Sequence, residues 1–181
     1  MESLKITLRR NLKDAGRVAV LAIGSSLRGD DAAGLQVAEE LRRIRSDSRK
    51  KADHSAIGNR QSAICSSLRI FKGETAPENL TGEIKKFRPT HLVILDAADA
   101  AGKKPGSITL IQRRLLRGGS SISTHNMPVN VLVKYLQRSF PCEVLILGIQ
   151  PNSHDYGRPL SAPVKQAARR AAAALAGALR A

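Results

Sequence analysis

An unbroken apolar run, Val18 to Ile23, empties into a turn with a glycine at each end, Gly24 to Gly29. The turn delivers two adjacent carboxylates, Asp30 and Asp31, to the head of an apolar-periodic segment. The run has the length and β-branched content of a buried strand over Arg17–Ile23. The segment from Asp31 to about Arg45 reads as a helix, because Val37, Leu41 and Ile44 recur at i, i+4 and i+7. A strand, a glycine turn and a helix in that order place acids at a strand's carboxyl end. Open α/β sheets bind ligands there, and the helix dipole favours negative charge at that point.

The rest of the chain repeats the alternation. Leu68–Phe71 reads as a short strand. Pro77 opens a helix through about Lys86, with Glu78 in its first turn. His91–Leu95 is a second buried strand, ending at Asp96. Ser107–Ile111 follows a turn at Gly102–Gly106, and Glu143–Ile149 is a further buried strand. Pro128 starts a helix through Arg138 whose apolar face is Val129, Leu132, Val133 and Leu136. Ser161 is placed to cap a last helix to about Leu179, with Val164, Ala168, Ala171, Leu175 and Leu179 on one side. Leu4, Ile6, Leu8 and Leu12 suggest a short amphipathic helix within residues 1–16. Strands alternating with helices imply crossover connections. The expected fold class is α/β, a three-layer α/β/α sandwich on a mostly parallel sheet of about five strands.

Composition bounds this reading. A chain of 181 residues suits one domain, residues 1–181. No apolar run approaches the roughly 20 residues that span a bilayer, and the first residues lack a secretory signal pattern. The chain is therefore expected in the cytoplasm. Net charge is +15, with a dense patch at Arg42, Arg43, Arg45, Arg49, Lys50 and Lys51. That charge admits an RNA-binding module, but the aromatic content of 3% supplies few stacking platforms. A solvated basic surface is the plainer reading. Residues 45–63 are polar and basic without apolar period, as in a surface insertion loop. Cys65 and Cys142 have no neighbouring cysteine or histidine that would make a metal or nucleophile site, so two unrelated thiols are expected.

Three polar residues occupy corresponding places in this plan. Asp31 follows the first strand, Asp96 follows Leu92–Leu95, and His125 stands in Ser-Thr-His-Asn-Met-Pro before the helix at Pro128. Two carboxylates and an imidazole suit a borderline divalent metal such as nickel or zinc, and three ligands leave a coordination position open. Each residue also has a plain role: Asp31 or its competitor Asp30 at a helix start, Asp96 capping a turn, His125 as a loop histidine. An all-oxygen set at the same loop would instead hold Mg²⁺ for a phosphohydrolase, and the histidine weighs against that. Asp99 reads either as an orienting partner of Asp96 or as a solvated acid.

Five segments add a resemblance: Ile-Gly-Ser-Ser-Leu-Arg-Gly-Asp-Asp-Ala-Ala-Gly (23–34), Ala-Pro-Glu-Asn-Leu (76–80), Val-Ile-Leu-Asp-Ala-Ala-Asp (93–99), Ser-Thr-His-Asn-Met-Pro (123–128) and Leu-Gly-Ile-Gln-Pro (147–151). Together, in this order, they resemble the [NiFe]-hydrogenase maturation endopeptidases, most closely those serving hydrogenase 3-type enzymes. The resemblance implies the same α/β/α fold and a cytoplasmic protease, aspartic-type or metal-assisted. Such a protease trims the C-terminal extension of a hydrogenase large-subunit precursor after nickel insertion. It also implies that Asp31, Asp96 and His125 are the catalytic, metal-contacting positions. The nickel then arrives inside the precursor and is no resident cofactor. The chain departs from the family pattern at Ser25, where asparagine is usual, and at Ala32, where glycine is frequent.

Overall fold

The computed structural model describes residues 3–53, 67–100, 102–112 and 129–180. Its sheet is built from β1 (Val18–Ile23), β2 (Leu68–Glu74), β3 (His91–Ala97), β4 (Ile108–Gln112) and β5 (Glu143–Ile149). The helices are α1 (Leu4–Asn11), α2 (Ala33–Asp53), α3 (Thr81–Phe87), α4 (Val129–Ser139) and α5 (Ala162–Ala178). Short 3-10 turns at Gly29–Ala32 and Pro77–Leu80 lead into α2 and α3.

The strand order is β2-β1-β3-β5-β4. The first four strands of that order are parallel, and β4 runs antiparallel to β5 at the edge. Val18 pairs with both Leu68 and His91, and His91 pairs with Glu143, so the four parallel strands begin level and their carboxyl ends form one rim. β1 and β3 are buried along their whole length, as strands covered on both faces must be.

Side chains of period two feed two cores. Val18, Val20 and Ala22 of β1 join Val93 and Leu95 of β3 beneath α1, α2 and α5. Ala19, Leu21 and Ile23 join Leu92 and Ile94 on the opposite face, beneath α3 and α4. The expected apolar faces are buried here: Val164, Ala168, Ala171, Leu175 and Leu179 against α2, and Val129, Leu132, Val133 and Leu136 of α4 on the sheet. The three-layer α/β/α sandwich with its mostly parallel five-stranded sheet is thus present. No helix among the described residues is long and apolar enough to cross a membrane.

Several boundaries differ from the sequence reading. α2 does not stop near Arg45 but continues to Asp53, so residues 45–53 of the expected loop 45–63 are helical. That stretch has no glycine or proline, and arginine and lysine are good helix formers. Its apolar period is lost because the helix outruns the sheet: 21 residues of α-helix span about 31 Å, against about 20 Å for six residues of strand. The remainder of the loop, with Cys65, and the segment from Arg113 to Pro128 lie outside the described residues. β2 reaches Glu74, with a register skip beside Ala22 and Ile23 that accommodates Gly73. Asp96 is part of β3 itself, paired with Gly148 of β5.

α2 is fixed to its neighbours by charge as well as by packing. Lys72 of β2 pairs with Glu39. Glu40 holds Arg43 at 2.9 Å and Arg169 of α5 at 3.4 Å. Burial pushes the Glu40 carboxyl up, but the two guanidinium groups outweigh it and hold the group below its ordinary value.

Candidate active site

From β1 the chain passes through α2 on one face to β2. It then returns through α3 on the other face to β3, on the far side of β1. The order therefore reverses between β1 and β3, and the crevice beyond their carboxyl ends is the place where such sheets bind ligands. Asp31 comes from the loop after the first of these strands and Asp96 from the end of the second. Leu95 pairs with Ala22, so Asp96 stands level with the last residue of β1. A Cβ at Gly34 would overlap the carbonyl oxygens of both Ile23 and Leu95. The first turn of α2 thus sits over the gap between the two strands, and Asp31 enters just ahead of it.

The loop that presents Asp31 is tightly turned. Gly24 has φ 143°, in the region that favours glycine, and a Cβ there would overlap the Asp31 carbonyl oxygen. Its N–H donates to the Glu74 carbonyl at 3.0 Å and ties the loop to β2. The Asp31 N–H donates to Arg28 O at 3.0 Å, and Asp31 Oδ2 accepts from the Ser25 N–H at 3.1 Å. The Ser25 side chain takes no part in that last bond, so a residue other than asparagine is compatible with it. Asp31 and Asp96 are both buried, 4% and 2% exposed.

Asp30, the competing acid, has a different task. Its Oδ2 accepts from Asn152 N at 2.8 Å, Ser153 N at 3.3 Å and Ser161 Oγ at 2.8 Å, and its Oδ1 accepts from Ser161 N at 2.6 Å. This carboxylate is consumed in joining the loop after β1 to the loop after β5. Ser161 does occupy the N-cap position of α5, but its hydroxyl serves Asp30 and makes no capping bond. Sequence reasoning saw both acids and had no signal for the division of labour.

Asp99 accepts from Gln150 Nε2 at 2.8 Å, while Gln150 Oε1 accepts from Ala100 N at 2.8 Å. The Gln150 amide thus pins the loop after β3 to the end of β5, beside Asp96. Glu78 stands where the chain leaves β2; its Oε2 is buried and has no hydrogen-bond partner among the described residues. His125 lies outside the described residues. α4, the helix that follows it, ends just before the start of β5 at the amino rim. Among the described residues no three His, Cys, Asp or Glu side chains gather as a metal site. Cys142 is half-buried at the start of β5, across the sheet from Asp31 and Asp96.

Fold and rim together define an α/β/α protein with an acidic crevice at its switch point. Comparison with known proteins sharpens that class. Residues 54–178 match the HycI family of hydrogenase maturation proteases. The chain is 34% identical over 148 residues to the hydrogenase 3 maturation protease of Escherichia coli K12, covering 82% of this chain and 81% of that protein. The crystal structure of the [NiFe] hydrogenase maturation protease HycI from Thermococcus kodakarensis superposes with a TM-score of 0.77 at 26% identity, over 97% of this chain and 99% of that one. The solution structure of the endopeptidase HycI from Escherichia coli gives 0.62 at 32% identity, over 84% of each chain. The chain belongs to the hydrogenase maturation protease family and is a peptidase.

Proposed function

We propose that this peptidase removes the C-terminal extension from the large-subunit precursor of a [NiFe] hydrogenase, in the cytoplasm, once nickel is in place. Asp31, Asp96 and His125 contact that nickel, which is part of the substrate. One observation carries the reading: two buried carboxylates from sequence-distant segments flank the switch point between β1 and β3. Asp30 is already saturated by four donors and is the acid of the pair less suited to a cation.

Hydrolysis adds water across the scissile peptide bond. A divalent ion lowers the pKa of a bound water and polarises a nearby carbonyl. A carboxylate at the rim accepts the proton that the attacking water gives up and returns a proton to the leaving amine as the C–N bond breaks. Gripping an ion buried in the client also makes cleavage report on nickel insertion, because an empty precursor offers nothing for the carboxylates to hold.

The test is incubation of the full chain with nickel-loaded and nickel-free precursor, followed by intact mass measurement. The loaded precursor loses its C-terminal extension and the empty one does not. Equal cleavage of both would remove nickel from the account.

A further inference from the structure

Two loops above the rim are locked to each other. The Asp30 carboxylate spans them, the Asp30 N–H donates to Ser153 O at 3.2 Å, and the Gly157 N–H donates to Leu27 O at 2.8 Å. Gly29, at φ 50°, lies so close beneath that a Cβ would come within 3.3 Å of the Ser153 and Asp155 carbonyl oxygens. On these two segments stand Leu27, 57% exposed, and Tyr156, 73% exposed. The other large apolar side chains that are exposed among the described residues, Ile6, Val131 and Tyr135, belong to helices. Leu27 also lies between Ser25 and Arg28, whose backbone groups hold Asp31.

Single exposed apolar residues need no explanation. Two on adjoining, hydrogen-bonded segments beside the candidate site are different. A peptidase must draw an extended chain across its site, and a rigid apolar lip binds such a chain with little ordering cost. Tyrosine adds large contact area with only two side-chain torsions to fix.

We propose that Leu27 and Tyr156 form a lip that seats an apolar side chain of the precursor next to the bond that is cut. The inference rests on the precursor reading given above. The lip acts in binding and takes no part in the chemical step.

The test is steady-state cleavage of nickel-loaded precursor by the wild-type chain, Leu27→Ala, Tyr156→Ala, the double variant and Tyr156→Phe. Loss of one large apolar contact raises KM about tenfold, with kcat within about twofold, because the contact is made equally in the bound and transition states. Tyr156→Phe restores the wild-type KM, and the urea midpoints of all variants match wild type, since both side chains are exposed. A double variant with wild-type KM, or one that loses kcat alone, overturns the lip while leaving the precursor reading intact. A wild-type chain that cleaves no loaded precursor overturns that reading and the lip with it.

Discussion

Ser161 donates twice to Asp30, from its backbone N–H to Oδ1 at 2.6 Å and from its hydroxyl to Oδ2 at 2.8 Å. Residues far apart in sequence thereby fix where the next residue, Asp31, enters the crevice. Asp30 joins the two loops, Asp31 bonds within its own turn through Ser25 N, and the proposed site role falls to Asp31.

This division has a measurable signature. Asp30→Ala strands three backbone N–H donors, those of Asn152, Ser153 and Ser161, together with one hydroxyl. The expected loss is about 2 kcal/mol of unfolding free energy in urea, as for a charged acceptor removed from part-buried donors. Asp31→Ala keeps those four bonds and abolishes cleavage. Full cleavage by Asp31→Ala, or an Asp30→Ala chain as stable as wild type, would contradict the assignment.

Gly34 is a packing requirement of the same crevice. Gly34→Ala sets a methyl group against the Ile23 and Leu95 carbonyl oxygens and lifts the start of α2 off β1 and β3. Overpacking of this kind costs about 1–3 kcal/mol. Thermal unfolding checks the stability loss, and cleavage falls with it because Asp31 moves with the helix start. Unchanged melting and cleavage would show that the helix can shift freely.

One pH response is expected at the amino rim. His91 is 7% exposed at the start of β3, with Nδ1 at 3.1 Å from Thr90 Oγ1. Burial holds its imidazole below the ordinary value of 6.5, against the upward pull of the Glu143 and Asp14 carboxylates. The unfolded chain then binds more protons than the folded one as pH falls through that value. Stability is complete above it and declines below it, toward the lower folded value. The urea midpoint should drop between about pH 7.5 and about pH 5.5, and His91→Gln should remove part of that drop. An identical drop in the variant would place the response elsewhere.

Much of this was legible in the sequence where burial is continuous. The runs at Val18–Ile23 and Glu143–Ile149 give their strands directly, because parallel strands between helix layers tolerate no polar break. The tail of α2 was not legible, since a helix that outruns the sheet has no core to imprint a period on it. Asp30 and Asp31 are indistinguishable locally; what separates them is hydrogen bonding to residues 152–161, a long-range fact. For the same reason Ser161 showed its position at the helix start but not its partner. Exposure of Leu27 and Tyr156 depends on how two loops meet, which no local pattern encodes.

Whether three sequence-distant residues grip the client's nickel is decided by intact-mass analysis of nickel-loaded precursor after incubation with the wild-type chain and with Asp31→Asn, Asp96→Asn and His125→Gln. Wild type shortens the precursor at its C-terminus, and each variant loses rate about a hundredfold or more, with folding retained. Wild-type rates in any one of the three would contradict that grip.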